Sequence, residues 1–145
     1  MSNNFNIRKA AAPDFPKISE YYHKLYEGDE EQEFFGLKLD LDAFRANQRV
    51  LVAESHDKII GYLWFVWYEH IKNKGVAYFE ELYVDEKYRR SGVGKTLIEH
   101  AINDIKSEGI KTIYFAVGAH MKDSKEFYEH IGFKQSREVW FEKAL

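Results

Sequence analysis

No cysteine occurs among the 145 residues, which excludes disulfides, thiolate metal sites and a cysteine nucleophile. Proline is scarce, with two in the chain. There is no internal repeat, low-complexity tract or Pro/Gly-rich linker at which to draw a boundary. A single domain over residues 1–145 is therefore expected, long enough to bury a core. No apolar run reaches membrane-spanning length, and the opening MSNNFNIRKAAAPDF has no apolar stretch of signal-peptide size. A cytoplasmic protein with no membrane partner is the expectation. An excess of basic residues is also missing: the net charge is −3, which argues against a nucleic-acid partner. The six histidines show neither H-x-H nor H-E-x-x-H spacing, so no metal is expected. His120 reads as an ordinary loop residue.

What is present is a globular composition, 45% hydrophobic, arranged in recognisable periods. NFNIRKA (4–10) alternates like a first strand. Asp14 is placed to cap a helix reaching about Tyr26, with Phe15, Ile18, Tyr22 and Leu25 on one face. An acidic run, EGDEEQEFF (27–35), follows, and then a shorter helix after Asp40. RVLVAES (49–55) reads as a strand and His56-Asp57-Lys58 as a tight turn. IIGYLWFVWYE (59–69) is apolar on both faces and so reads as a central strand. Asn73-Lys74-Gly75 turns the chain into VAYFEELYV (76–84), another strand. The helix after Gly92 carries the stripe Val93, Leu97, Ile98, Ala101, Ile102 and Ile105 and stops at Gly109. TIYFAV (112–117) reads as a buried strand, KDSKEFYEHI (122–131) as a helix ended by Gly132, and EVWFEKA (138–144) as a last strand. The predicted fold class is α/β, a mixed sheet with helices on both faces. Strands 76–84 and 112–117 should run parallel through a right-handed crossover. The aromatic content of 59–69, with Trp140, points toward a homodimer.

The stretch RRSGVGKT (89–96) looks like a phosphate cradle. An ATP-type loop needs glycine five residues before Gly94, and Arg89 stands there. The dinucleotide pattern fails at its third glycine, which is Leu97. What is left is R-R-x-G-x-G opening an amphipathic helix, where free N–H groups and the helix dipole favour an anion. The competing view is a plain glycine turn with two solvated arginines.

The surroundings favour the anion. ELYVDEKYRRSGVGKTLIEHA resembles the central motif of the GNAT superfamily of N-acetyltransferases: an apolar strand ending in valine, then Q/R-x-x-G-x-G/A opening a long helix. EFYEHIGF (126–133) is similar to the family's F-Y-x-x-x-G-F. The order of elements matches as well, although the first 48 residues match only in outline. The resemblance implies the GNAT fold and acetyl-coenzyme A as acyl donor. Its pyrophosphate would lie on Arg89, Arg90, Ser91, Gly92, Val93, Gly94 and Lys95. Its pantetheine arm would pair along Leu82, Tyr83 and Val84, beside a bulge that splays the sheet.

Transfer to an amine needs a base, a donor for the carbonyl oxygen and an acid for the thiolate. Without cysteine, direct attack in a ternary complex is the economical route. Glu80 and Glu81 should point to opposite faces of their strand. By resemblance to spermidine/spermine N-acetyltransferases Glu80 is assigned as the base, acting through water, rather than as a solvated charge. Tyr128 is the acid by the same resemblance, the alternative being a helix tyrosine packed beside Phe127 and Ile131. The N–H of Val84 or Tyr83 would face the oxyanion. Gly118 and Met121 stand where many relatives have asparagines, and Ser124 is a substitute donor toward the pantetheine. In this fold the loop between the first two helices covers the acceptor. Here it holds Glu27, Asp29, Glu30, Glu31 and Glu33, with aromatic Tyr26, Phe34 and Phe35 close by and Tyr21 and Tyr22 just before. Glu27, Glu30, Glu31 and Glu80 are thus expected to bind a small cationic amine such as a polyamine. The alternatives are a non-catalytic acyl-coenzyme A sensor, and a protein N-terminal or lysine acetyltransferase.

Overall fold

The computed structural model describes residues 4–25, 47–68 and 75–145. The expected acidic loop with Glu27, Glu30 and Glu31, the helix after Asp40 and the Asn73-Lys74 turn lie outside the described residues. The chain divides into two compact units, residues 1–115 and 116–145.

The first unit is built on a five-stranded sheet in the order β1-β2-β3-β4-β5. Strands β1 (Asn6–Lys9), β2 (Gln48–Ser55), β3 (Lys58–Tyr68) and β4 (Val76–Val84) form antiparallel neighbours. Strand β5 (Ile113–Tyr114) pairs parallel to β4. The β2–β3 hairpin closes through His56 and Asp57, with φ of 50° and 59°. Two consecutive left-handed residues give the turn whose twist matches paired strands.

Strand β3 is central, as its two apolar faces require. The register defines those faces. Val50 opposes Trp64, Val52 opposes Tyr62, and Tyr62 in turn opposes Tyr83. Helix α1 (Phe15–Leu25) covers this face, and Phe15, Ile18 and Tyr21 form one cluster with Val50, Val52, Tyr62 and Tyr83. On the other face Leu51 opposes Leu63 and Arg49 opposes Phe65. Helix α2 (Val93–Ser107) lies there and buries Val93, Leu97, Ile98, Ala101 and Ile105. Arg49 reaches across to Asp104 of that helix at 3.0 Å. The aromatic residues of β3 are thus largely used inside the unit, Phe65 and Trp67 being buried.

Asp14 does not cap α1 in the expected way. It ends a short 3-10 turn, Ala12–Asp14, and its carboxylate reaches back to the Ala11 N–H at 2.7 Å. Pro13 has no N–H to donate and fits the start of that turn. Arg8 grips the same carboxylate through two nitrogens at 2.6 and 2.9 Å and holds Glu54 of β2 at 2.7 Å. One guanidinium therefore joins β1, β2 and the entry to α1.

Two expected strands are altered. The span 112–117 shortens to Ile113–Tyr114, and its residues 113–115 are half-buried rather than buried. Pairing with β4 ends at Tyr78↔Tyr114, just before β4 loses its regular register. Phe115 stacks on Phe79 instead, at 5.5 Å. Residues 138–144 form no strand, and Val139, Trp140 and Phe141 are 77%, 67% and 95% exposed. Strand propensity yields a strand only when a neighbouring edge takes up the hydrogen bonds. The second unit contains helix α3 (Lys122–His130) and no described sheet edge.

The hydrogen bonds from Arg8 hold the Asp14 carboxyl below the usual carboxylate range. A depressed carboxyl stabilises the fold above its unfolded value of 3.8, and that contribution fades as pH falls through the folded value. Asp14→Ala should cost about 2 kcal/mol at neutral pH, discounted for the partial exposure of Arg8. Thermal melts should show Tm roughly 6 °C lower, with the gap to wild type closing below pH 3.8. A gap independent of pH would contradict this account.

Candidate functional site

The site begins with a mismatch between β3 and β4. Trp64 opposes Glu81, but the next residue of β3, Phe65, opposes Phe79. Glu80 is the extra residue, which makes this a β-bulge. Strict alternation, which would send Glu80 and Glu81 to opposite faces, fails here. Phe79 and Leu82 both belong to the α2 face, with two residues between them where alternation allows an even step to a like face. Glu81 lies on the α1 face opposite Trp64. Its charge acts on Tyr22 of α1, whose hydroxyl pKa is raised first by burial and then by Glu81.

Glu80 is exposed as a residue, yet desolvation by surrounding protein lifts its carboxyl pKa above the ordinary value. The two facts are compatible, because a carboxyl can touch solvent on one side while protein excludes water on the others.

Beyond the bulge, the direction of the backbone groups follows from one contact. The Asp85 N–H donates to the Ile60 carbonyl at 2.8 Å, toward β3. Alternation then turns Tyr83 toward β3 and turns Leu82 and Val84 away from it. Gly61 agrees: a Cβ there would meet the Tyr83 carbonyl oxygen at 2.8 Å. From Leu82 to Val84 the outer edge carries no strand pairing among the described residues. Of the two N–H groups expected to face an oxyanion, Val84 points outward and Tyr83 points into the sheet.

The chain then enters the glycine loop. The Asp85 carboxylate accepts the Lys87 N–H at 3.0 Å and so caps a 3-10 turn, Glu86–Tyr88. Arg89 folds back, its Nε donating to the Val84 carbonyl at 2.9 Å and its guanidinium lying 5.5 Å from the Tyr83 ring. The Ser91 hydroxyl donates to the Tyr88 carbonyl. Gly92, at φ 84°, turns the chain into α2. The first helical bond runs from the Thr96 N–H to the Gly92 carbonyl at 3.0 Å. The N–H groups of Val93, Gly94 and Lys95 therefore precede any intrahelical acceptor, and no side chain caps them. Arg90 is exposed beside them, and Lys95 lies 3.9 Å from Glu99. Of the predicted anion ligands, the N–H groups of Val93, Gly94 and Lys95 lack an intrahelical acceptor and Arg90 is exposed. Arg89 and Ser91 also brace the loop. Sequence reading missed Asp85, although Asp two residues before an N–H is a common turn signal.

In the second unit, Tyr128 of α3 is half-buried and meets the rings of Phe127 and Phe133 edge-on at 5.1 and 6.0 Å. The Phe133 N–H donates to the Tyr128 carbonyl at 3.0 Å, past Gly132 at φ 101°. Ser124 is half-buried in the first turn of the same helix. At Gly118 a Cβ would lie 3.0 Å from the His120 ring and 3.2 Å from the Met121 side chain, both exposed, which would have to shift by a few tenths of an ångström. Among the described residues no group of three acidic or histidine side chains could hold a metal ion, and no helix is long and apolar enough to cross a membrane.

Comparison with known proteins agrees with this geometry. A sequence model described as the Acetyltransferase (GNAT) family matches residues 9–133. An uncharacterized N-acetyltransferase of Methanocaldococcus jannaschii is 28% identical over 148 residues, 93% of this chain and 63% of that protein. The ribosomal protein bS18-alanine N-acetyltransferase of Escherichia coli is 34% identical over 53 residues, covering 37% of this chain and 36% of that protein. The chain thus spans less than two thirds of the length of these relatives. Two solved structures share the fold. An aminoglycoside acetyltransferase from a soil metagenome, in complex with sisomicin, has a TM-score of 0.78 at 23% identity, with 97% of this chain and 96% of that one covered. AAC(6')-Iy, in complex with a bisubstrate analogue of coenzyme A, has a TM-score of 0.79 at 18% identity, covering 98% and 99%.

The left-handed backbone at Gly92 yields a simple test. A Cβ there meets nothing within 4 Å, so Gly92→Ala should cost only the conformational penalty, about 1–2 kcal/mol. Gly92→Asn should recover part of it, because asparagine tolerates this conformation. Equal melting temperatures for Ala and wild type would mean that the loop has a different backbone.

Proposed function

The chain belongs to the GNAT family of acetyltransferases, and on that premise we propose that it moves the acetyl group of acetyl-coenzyme A to a primary amine. A small cationic amine, such as a polyamine, is the preferred acceptor. The observation that carries this reading is the pairing, within one strand–helix unit, of the Glu80 bulge with the Gly92 turn. The first supplies a base beside an open strand edge, and the second an anion cradle at the far end of that edge.

The residues present suit the donor. The N–H groups of Val93, Gly94 and Lys95, with Arg90 and the outer nitrogens of Arg89, match a diphosphate in charge and direction. The outward groups of Leu82 and Val84 suit an extended amide-bearing arm, which would add to β4 as a strand does. When bound, the donor supplies the activated thioester, and the chain supplies the rest. A raised pKa brings Glu80 nearer to the value a base needs at neutral pH. It takes a proton from the amine through water, leaving the nitrogen lone pair free to form the C–N bond. The Val84 N–H faces the carbonyl oxygen as charge builds on it. The hydroxyl of Tyr128 gives its proton to the departing sulfur as the C–S bond breaks, and the extra proton shed by the newly acylated nitrogen restores the hydroxyl. We read the two compact units as parts of one acetyltransferase domain, because the family match at 9–133 runs across their boundary.

The acidic segment Glu27–Glu33 supports a cationic acceptor. A second reading, acetylation of a protein N-terminus, draws on the 34% identity to the bS18-alanine enzyme over 53 residues. A panel separates the two: polyamines, aminoglycosides, lysine-like amines and a peptide with an N-terminal alanine, followed by thiol release. The cysteine-free chain adds no background. Turnover of the peptide alone would reverse the acceptor assignment, and no turnover of any amine would leave an acyl-coenzyme A sensor.

Acetyl-coenzyme A should raise Tm and ATP should not. At about a hundred times Kd the stabilisation is roughly 2.7 kcal/mol. Glu80→Gln should lower kcat/KM by about 100-fold. Wild-type activity should fall as pH drops through the raised Glu80 value, because a base works only when deprotonated. The variant should lose that limb of the profile. Tyr128→Phe with full activity at every pH would remove the acid from the scheme.

A further inference from the structure

One contact beside the glycine loop is used by none of the steps above. Tyr21 of α1, 1% exposed, directs its hydroxyl at two acceptors, the Ile59 carbonyl and the Asp85 carboxylate, both at 2.9 Å. Asp85 is the residue at which β4 ends and the loop begins. It holds the Lys87 N–H with its other oxygen at 3.0 Å and donates its own N–H to Ile60 at 2.8 Å. The ring of Tyr21 lies 4.6 Å from that of Tyr83, and Arg89 of the loop sits at 5.5 Å from the same Tyr83 ring. Most of the described bonds at the start of the anion loop pass through Asp85, its two neighbours in sequence, or Arg89. Tyr21 ties that junction to helix α1 by a hydrogen bond, and Lys24 of the same helix acts on Asp85 by charge.

We propose that Tyr21 and Asp85 are positioning residues that hold the donor-binding loop in its binding geometry from the α1 side of the sheet. This rests on the acetyltransferase reading. The physical argument is preorganisation. A cradle made of three backbone N–H groups attracts a diphosphate only while those groups converge. A loop free to move must be ordered when the ligand arrives, and that ordering weakens binding. The chemistry of transfer, at Glu80, is not touched by this contact.

The charge states support the clasp. Burial, reinforced by the Asp85 carboxylate, keeps the Tyr21 hydroxyl protonated and able to donate. Burial alone would raise the Asp85 pKa, but the Lys87 N–H, the Tyr21 hydroxyl and the charges of Lys24 and Lys87 together outweigh it and favour the ionised group. The clasp also forms part of the wall of a cleft of about 630 Å³, shared with Lys87 and Tyr88 of the turn. Water can fill the space left by a missing hydroxyl there, so removing the contact need not unfold the chain.

Substitutions at Asp85 separate its two tasks. Serine keeps a cap for the Lys87 N–H but is too short to reach Tyr21. Asparagine keeps both. Tyr21 has one hydroxyl hydrogen, which Ile59 can accept, and the asparagine amide can then donate to the Tyr21 oxygen. The measurements are calorimetric Kd for coenzyme A, Tm, and kcat and KM for acetyl-coenzyme A at saturating amine. Tyr21→Phe and Asp85→Ser should each raise Kd and donor KM about tenfold, the loss of one charge-assisted contact. At saturating donor kcat should stay within about twofold, because only binding geometry is lost. Asp85→Asn should stay near wild type, and the double variant Tyr21→Phe/Asp85→Ser should be no weaker than the weaker single one.

If wild type binds coenzyme A and both single variants bind it equally well, the clasp has no such role, while the acetyltransferase reading stands. The clasp is likewise refuted if the variants lose Tm with no change specific to the donor, or if Asp85→Asn is as impaired as Asp85→Ser. A wild-type chain that binds no coenzyme A overturns the acetyltransferase reading and this inference together.

Discussion

Strand β4 has one residue more than its partner can pair. Glu80 is that residue, and the site follows from it. An extra residue in one strand bends it and increases its local twist. The regular ladder between β4 and β5 ends at Tyr78↔Tyr114, and the outer edge from Leu82 to Val84 is left for something other than a strand. The bulge also lifts a carboxylate out of the alternation that would have buried or fully solvated it. Burial on some of its sides raises its proton affinity.

From the bulge the chain takes five residues to reach Asp85 and seven more to reach Gly92 in αL geometry. Over that distance the same strand that carries Glu80 delivers the N-terminus of α2. The electrostatics divide cleanly along it. Acceptors and carboxylates lie at the bulge, and backbone donors with Arg90 lie at the helix start. Arg89 also braces the loop. By bonding the Val84 carbonyl and covering Tyr83, it joins loop to strand. The tyrosines of the α1 face, Tyr21, Tyr83 and Tyr62, pack in contact beneath this segment, with centroids 4.6 and 6.4 Å apart. Their packing makes the site part of the core rather than an appendage to it.

Much of this was legible in the chain. The hairpin turn at His56-Asp57, the doubly buried strand β3, the stripe of α2 and the glycine stops at Gly109 and Gly132 are local patterns, and the structure repeats them within a residue or two. The motifs at 81–101 and 126–133 led to the family that the match over 9–133 shows. What failed was non-local. Asp14 had the right identity for a cap, but Arg8 and the Ala11 N–H claimed its carboxylate. The segment 138–144 has strand-like composition and forms no strand.

The sequence by itself determined most of the segments that become helix or strand, and which family the chain joins. Those depend on periodicity and on residues within a few positions of one another, whose interactions are decided by the local backbone. Only the tertiary structure decided that Glu80 is the bulged residue, that Val84 rather than Tyr83 turns its N–H outward, and that Tyr21 meets Asp85 across 64 positions of chain. Register and long-range contact follow from how separate segments pack, and no single segment carries that information.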